Sequence, residues 1–314
     1  MKYSGVGGQA VLEGIMMKNR ETYAVAVRLP DGEIRIREEQ LKEKNALGKR
    51  LRRIPFIRGI FSLVDSLVLG MSTLEYSASF FEEEEETKPG LVEKKLGKEA
   101  ADKLTMGFSV VLALVLCLGI FMVLPVFLTS RLKAVVSSGL TVSLVEGVLR
   151  VLLFVGYIWL ISRMKDIRRV FMYHGAEHKC INCIEHGLPL TVENVRNSSK
   201  EHPRCGTSFL LFVMIVSVAV SIFLPKEILW QRLLSRLLML PVVVGISYEF
   251  IRLAGSSDSA FARIMSKPGL WLQGLTTREP EDDQIEVGIR SVEAVFDWKR
   301  WQREELGIMP EENA

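Results

Sequence analysis

All four histidines of the chain lie between positions 174 and 202, and three of its four cysteines between 180 and 205. The stretch reads Tyr173-His174-Gly175-Ala176-Glu177-His178-Lys179-Cys180-Ile181-Asn182-Cys183, and further on His202-Pro203-Arg204-Cys205-Gly206-Thr207. On a helix His174 and His178 face the same way, with Cβ atoms about 5–6 Å apart. Two imidazoles so placed can reach one zinc at about 2.0–2.1 Å. Glu177 sits one position round the helix, where it can act on a water without binding the metal. His-x-x-Glu-His is the order of the inverted zincins. His202 and Cys205 form a His-x-x-Cys pair that would bring the ligand count to three or four. Cys183 is a further candidate ligand and Cys180 a weaker one. Imidazole combined with thiolate points to zinc.

Four protein ligands would close the site and make it structural. Three ligands and a water would make it catalytic, with Glu177 as general base. The plainer alternative is a membrane-interface loop whose histidines satisfy hydrogen bonds and whose cysteines are small packed side chains. Gly175 weighs against a helix through the motif, by roughly 1 kcal/mol relative to Ala.

The elements that must position these residues are those of a membrane protein. Hydrophobic residues make up 48% of the chain and charged ones 25%, so the apolar residues are expected to gather in long runs. Four runs read as membrane spans: 106–128, 140–161, 207–224 and 233–253. The second carries Glu146 near its outer end; the fourth has Pro241 inside and Glu249 near its end. Glu249 has a simple partner in Arg252, and a role facing the site is the sharper alternative. Residues 56–69 are apolar but carry Arg58 and Asp65. At about 14 residues they are short for a span and read as an interfacial or packed helix, with a fifth membrane segment as the competing reading.

Residues 163–204 hold eight Lys/Arg. Positive loops stay inside, which places this loop, and with four spans both termini, in the cytoplasm. Residues 1–18 lack the basic region and apolar core of a signal peptide, in keeping with a cytosolic start. Weak alternation over 23–29, a Pro30-Asp31-Gly32 turn and clear alternation over 33–37 predict a β-hairpin. The glycine-rich start adds extended backbone. Its Gly5-Val6-Gly7-Gly8-Gln9 reads as a tight turn in preference to a phosphate cradle. The five acids at 82–86 read as a solvated linker. The acids at 279–283 read as a cap for the next helix, and 287–306 as an amphipathic helix with Trp298 and Trp301.

The expected fold is therefore a mainly α membrane protein with about four transmembrane helices. A small cytoplasmic β unit (1–40) and interfacial helices with an acidic linker (41–104) precede the transmembrane domain (105–254) and its His/Cys-rich loop (163–206). A cytoplasmic segment (255–314) follows. The net charge of +3 leaves no nucleic-acid footprint, and no motif of a nucleic-acid reader is visible.

Four stretches carry a family resemblance: Gly7-Gly8-Gln9-Ala10-Val11-Leu12-Glu13-Gly14-Ile15-Met16-Met17, Tyr173 to Lys179, His202 to Phe209, and Pro268-Gly269-Leu270-Trp271-Leu272-Gln273-Gly274-Leu275-Thr276-Thr277-Arg278-Glu279-Pro280. In these the chain resembles the YqhQ-like family of bacterial membrane proteins of unknown function, described as predicted metal-dependent enzymes. The resemblance implies a bacterial inner membrane. It also implies that the first and last stretches belong to the same cytoplasmic site, which makes Glu13, Gln273 and Arg278 candidates for supporting or substrate contacts.

Three functions compete. The first is a zinc-dependent hydrolase at the cytoplasmic membrane surface, acting on a lipid headgroup, a peptide or a phosphorylated small molecule. The second is a non-catalytic assembly or regulatory protein with a structural metal and a membrane-protein partner or a second copy of itself. The third, a transporter or channel, is disfavoured by the few charges within the spans.

Overall fold

The computed structural model describes residues 2–41, 46–81, 97–132, 138–224, 228–255 and 260–308. It opens with four strands, β1 (Val6–Val11), β2 (Gly14–Asn19), β3 (Thr22–Arg28) and β4 (Ile34–Gln40). The helices follow: α1 (Ala46–Leu51), α2 (Ile57–Ala78), α3 (Lys98–Leu118), a π-helical turn (Gly119–Val123), α4 (Leu124–Leu132), α5 (Gly139–Ile161), α6 (Lys165–Glu185), α7 (Val192–Asn197) and α8 (Gly206–Ser221). Then come α9 (Leu229–Gly255), α10 (Ala260–Thr276), α11 (Asp282–Glu293), α12 (Trp298–Trp301) and a last π turn (Gln302–Leu306). The acidic run at 82–86 lies outside the described residues.

The chain packs into two compact units. One is drawn from Met1–Phe81, Tyr157–Val213 and Pro241–Ala314, the other from Glu82–Gly156 and Met214–Leu240.

In the first unit the strands form an antiparallel meander in the order β1-β2-β3-β4. Side chains alternate across a sheet, so Ile15 and Met17 face one way and Met16 the other. The first face packs against Tyr173, Ile181 and Ile184 of α6 and Ile285 and Val292 of α11. The second face, with Val11, Met16 and Val25, packs against Leu69, Tyr76, Phe80 and Phe81. Burial of each large apolar side chain in these layers contributes about 1.5–3 kcal/mol.

Helix α6 is the middle of the first layer. Tyr173 and every residue from 175 to 185 are buried. It runs unbroken through Gly175, contrary to the expectation that this glycine weakens it. A Cβ there would collide with the carbonyl oxygen of Arg278, whose own amide donates to the Phe171 carbonyl at 2.9 Å. The glycine is the opening through which the chain after α10 reaches the helix backbone.

Four helices are long and apolar enough to cross a membrane: Ile57–Ala78, Leu104–Arg131, Gly139–Ile161 and Trp230–Leu253. The protein is a mainly helical, multi-pass membrane protein with a small N-terminal β-sheet. The set differs from the sequence expectation in two places. The apolar helix at 207–224 ends at Ser221 and has 16 residues, just under the usual range of about 17–25 for a span. The helix expected over 56–69 runs for 22 residues instead. Gly70, Thr73 and Ser77, which end the apolar run in the sequence, are three of its four buried residues, with Gly59. Gly70 lies against the Gln9 side chain, and the Ser77 hydroxyl accepts from the Leu12 amide at 3.2 Å.

The helix expected over 287–306 is in fact α11, a break, α12 and a π turn. Gln284 accepts from the Glu281 amide at the start of α11, a local cap that sets the boundary at Asp282. In the second unit the π turn at Gly119–Val123 ends two residues before Pro125, which has no amide hydrogen to give the preceding turn.

The close approach at Gly175 yields a stability test. Gly175→Ala should lower the thermal midpoint by the cost of overpacking, about 1–3 kcal/mol or more. Gly274→Ala on α10, where a Cβ meets nothing within 4 Å, should leave it unchanged or slightly raised. Equal midpoints in thermal unfolding of the two variants would remove this account of Gly175.

Candidate metal centre

His174 and His178 lie on successive turns of α6, with ring centroids 4.4 Å apart. Cys205 lies immediately before the first residue of α8. The ligand atoms of His174, His178 and Cys205 all lie within 4.8 Å of one another. His174 Nε2 is 3.2 Å from the Cys205 sulfur.

The second nitrogen of each imidazole is committed to backbone. His174 Nδ1 lies 2.9 Å from the Thr276 carbonyl, and His178 Nδ1 lies 2.7 Å from the Lys200 carbonyl. A carbonyl can only accept, so each bond places the proton on Nδ1 and leaves the Nε2 lone pair to face the cluster. Metal-ligating histidines are fixed in this manner. The Cys205 sulfur receives the Thr207 amide at 3.4 Å and has the Thr207 hydroxyl at 3.2 Å.

The loop carrying Lys200 to Cys205 is held by side chains of α6. Lys179 donates to the carbonyls of Arg196 and Ser198 at 2.9 and 2.8 Å. Asn182 donates to those of Ser199 and Glu201 at 2.6 and 2.9 Å. Buried carbonyls need such partners, and a polar helix supplies them. Gln273 of α10 clamps the loop from the other side. Its amide oxygen accepts from the His202 amide at 2.9 Å, and its nitrogen donates to the His202 carbonyl at 2.8 Å and the Ser208 hydroxyl at 3.0 Å.

His202 stands beside the cluster, its ring 5.7 Å from that of His178. Its Nε2 is turned to Glu185 at 3.7 Å and to Arg204 at 3.2 Å. Burial holds the His202 imidazole below its usual range, and the Arg204 and His178 charges add to this against the pull of Glu185. Burial raises the Glu185 carboxyl, but His202, the Ser4 amide and Arg204 outweigh it and hold it at about 2.

Glu177 is buried and faces β1. A Cβ on Gly8 would collide with the Met16 carbonyl oxygen and the Met17 sulfur, at 2.6 and 2.8 Å, and would stand 3.0 Å from the Glu177 Cγ, so the glycine lets the strand pass close to this side chain. Burial pushes its carboxyl above the ordinary range, opposed by His174 and the Gly8 amide. Gly8 is therefore a paired strand residue that touches the motif.

The remaining candidates are distributed as follows. Glu13, at the β1–β2 turn, pairs with Arg169 through both carboxylate oxygens and accepts from the Tyr173 hydroxyl at 3.1 Å. It thus anchors α6 one residue before His174. Arg278 contributes its backbone at Gly175, and its buried Nε has no partner among the described residues. Cys183 points to the carbonyls of Leu188 and Pro189, and its thiol is raised by burial to about 11. Glu249 pairs with Arg58 of α2 through both oxygens, not with Arg252 as the sequence suggests. Arg58 lies 191 positions away, a pairing that sequence spacing does not announce.

Glu185 and Asn182 are not apparent as site residues from the sequence motifs. Both follow His178 on α6 at helical spacing, the one signal that could have found them.

The chain belongs to the DUF1385 family of proteins of unknown function, whose model matches residues 54–298. It is 38% identical over 289 residues to a protein of Bacillus subtilis (strain 168) called uncharacterized protein YqhQ, covering 91% of this chain and 90% of that protein. No solved structure matches the chain.

The depressed Glu185 carboxyl has a signed consequence. Its folded value lies below the unfolded one, so its stabilisation is present above the ordinary carboxylate range and is lost as pH falls toward about 2. Wild-type stability should therefore fall across that interval more steeply than that of Glu185→Gln, in thermal scans at stepped pH. Parallel curves would show that Glu185 carries no such linkage.

Proposed function

We propose that this chain is a zinc-dependent hydrolase at the cytoplasmic face of a bacterial inner membrane, with both termini in the cytoplasm. The observation that carries the reading is the convergence of His174, His178 and Cys205, three ligand atoms within 4.8 Å of one another. The donor set fits zinc, which takes imidazole and thiolate together. Each imidazole already has its other nitrogen tied to a carbonyl.

Three ligands leave a fourth position free, as catalytic zinc sites do. Zinc held there would act as a Lewis acid and lower the pKa of a water toward about 7. Glu177 would take the proton from that water. Its raised carboxyl places its proton affinity closer to neutral pH, where a general base works best. Gln273 and Glu13 are positioning residues: the one fixes the loop before Cys205, the other fixes α6 before His174.

The surface location draws support from α2. Val64, Leu67, Val68, Met71 and Leu74 are exposed at spacings that make one helical stripe. The opposite side of the helix packs on Gln9 and Leu12 of the sheet. An apolar stripe beside a polar domain suits a helix in the headgroup plane of a bilayer. In that plane α2 would leave the three other long apolar helices and the shorter α8 to span the membrane, which keeps both termini on one side. Substrates within reach of that plane are lipid headgroups, peptides or phosphorylated small molecules.

A second reading keeps the metal and drops the catalysis. The His202 ring lies 5.7 Å from His178, and a turn of this ring away from Glu185 would offer a fourth ligand and close the site. The protein would then be an assembly or regulatory element, with a membrane-protein partner or a second copy of itself.

Two measurements separate these readings. Elemental analysis of detergent-purified protein should find about one zinc per chain in the wild type and in Cys183→Ser, and little in His178→Ala. Folded protein that takes up no zinc would end both readings. In hydrolytic assays over phosphoesters, lipid esters and peptides, Glu177→Gln should keep its zinc yet lose activity by about 10²–10⁴-fold. The wild-type pH profile should show an acid limb above the ordinary carboxylate range. Unchanged activity in Glu177→Gln would remove the general-base role.

A further inference from the structure

The second unit holds a charged cluster that the metal centre does not use. Glu146 and Arg150 project from α5, Arg232 and Arg236 from α9. Glu146 is 1% exposed, Arg232 2%, Arg150 6% and Arg236 9%. In the sequence Glu146 reads as one acid near the outer end of a span, among few charges in the spans. The structure surrounds that acid with three guanidiniums. Arg150 donates to one carboxylate oxygen at 2.8 Å. Arg236 grips both oxygens, and Arg232 pairs with the second.

One carboxylate cannot balance three arginines. Guanidinium stays protonated in proteins, and among the described residues no other acid pairs with these side chains, so within that set two positive charges remain. The hydroxyls of Ser217 and Thr129, at 3.1 and 3.3 Å from Arg150 and Arg232, and the Phe121 carbonyl, at 2.9 Å from Arg150, are neutral. Among the described residues the buried Nε atoms of Arg232 and Arg236 have no hydrogen-bond partner. Unbalanced buried charge is strongly destabilising unless something pairs with it, and arginines within membrane helices mark ligand paths.

We propose that this cluster binds a phosphate-bearing anion. Guanidinium forks match phosphate oxygens two at a time, and a phosphate carries one or two of the missing negative charges. Glu146 and Arg236 each lie seven residues from the start of their helices, about 10 Å along the axis. Glu146 pairs with all three arginines and limits their net charge. The phosphate can come from an anionic phospholipid headgroup or from the free ion.

The test uses full-length protein stripped of lipid in neutral detergent. It is titrated with short-chain phosphatidylglycerol, with inorganic phosphate or with phosphatidylcholine, and read by native mass spectrometry and thermal midpoint. One adduct per chain with phosphatidylglycerol or with phosphate, and a raised midpoint, is expected; which of the two adducts forms identifies the source. The double variant Arg232→Gln/Arg236→Gln should weaken that adduct by at least about tenfold, or 1.4 kcal/mol. Glu146→Gln, which adds a further unit of unbalanced positive charge, should bind as tightly or more tightly.

If the double variant does not fold, the wild type and Glu146→Gln decide the matter. The proposal fails if folded wild type binds neither anion. It fails equally if it binds phosphatidylcholine as well as phosphatidylglycerol without binding phosphate, or if Glu146→Gln loses the adduct.

Discussion

A polar helix buried on nearly every side sets the terms for the rest of the first unit. Helix α6 carries His174, Glu177, His178, Lys179, Asn182 and Glu185, and all but His174 are fully enclosed. Each polar group taken from water must find a partner within the protein. The partners come from other segments of the chain: the carbonyls of Thr276, Lys200, Ser199 and Glu201, the Ser4 amide and the Arg204 side chain. The helix therefore folds only with the loop before α8, the segment after α10 and the N-terminal strand around it. The candidate metal centre is where these three segments meet.

This requirement gives the outlying family stretches a physical meaning. Gly8 lets β1 pass close to Glu177, and Gly175 leaves space for the Arg278 carbonyl. Gln273 makes three hydrogen bonds that fix the loop leading to Cys205. None of these residues holds a ligand atom of the cluster, yet each sets where a ligand atom sits. Rigid support of this kind is what a metal site needs if its geometry is to survive thermal motion.

Much of this was legible in the sequence, and the exceptions share a cause. Helical spacing pairs His174 with His178, alternation gives the β3–β4 hairpin, and apolar runs give most of the long helices. Those are local patterns. The role of Gly175 could not be read locally, because the atom that excludes a side chain there belongs to Arg278. The length of α2 was hidden by Gly70, Thr73 and Ser77, which look like a helix end until the sheet packed against them is seen. Glu249 pairs with Arg58, and Glu146 with Arg232 and Arg236, across more than 80 positions. The Glu146–Arg150 pair was the exception: an i,i+4 spacing within a span was visible and was the one local clue to that cluster.

The central claim is that His174, His178 and Cys205 hold a zinc with one position left open. X-ray absorption at the zinc edge of the purified wild-type protein tests it most directly. The account predicts two nitrogens at about 2.0–2.1 Å, one sulfur at about 2.3 Å and one further light atom from solvent. Spectra in which the Cys205→Ser variant keeps the zinc–sulfur shell, or in which the wild type shows three imidazoles and a sulfur with no solvent ligand, would contradict it.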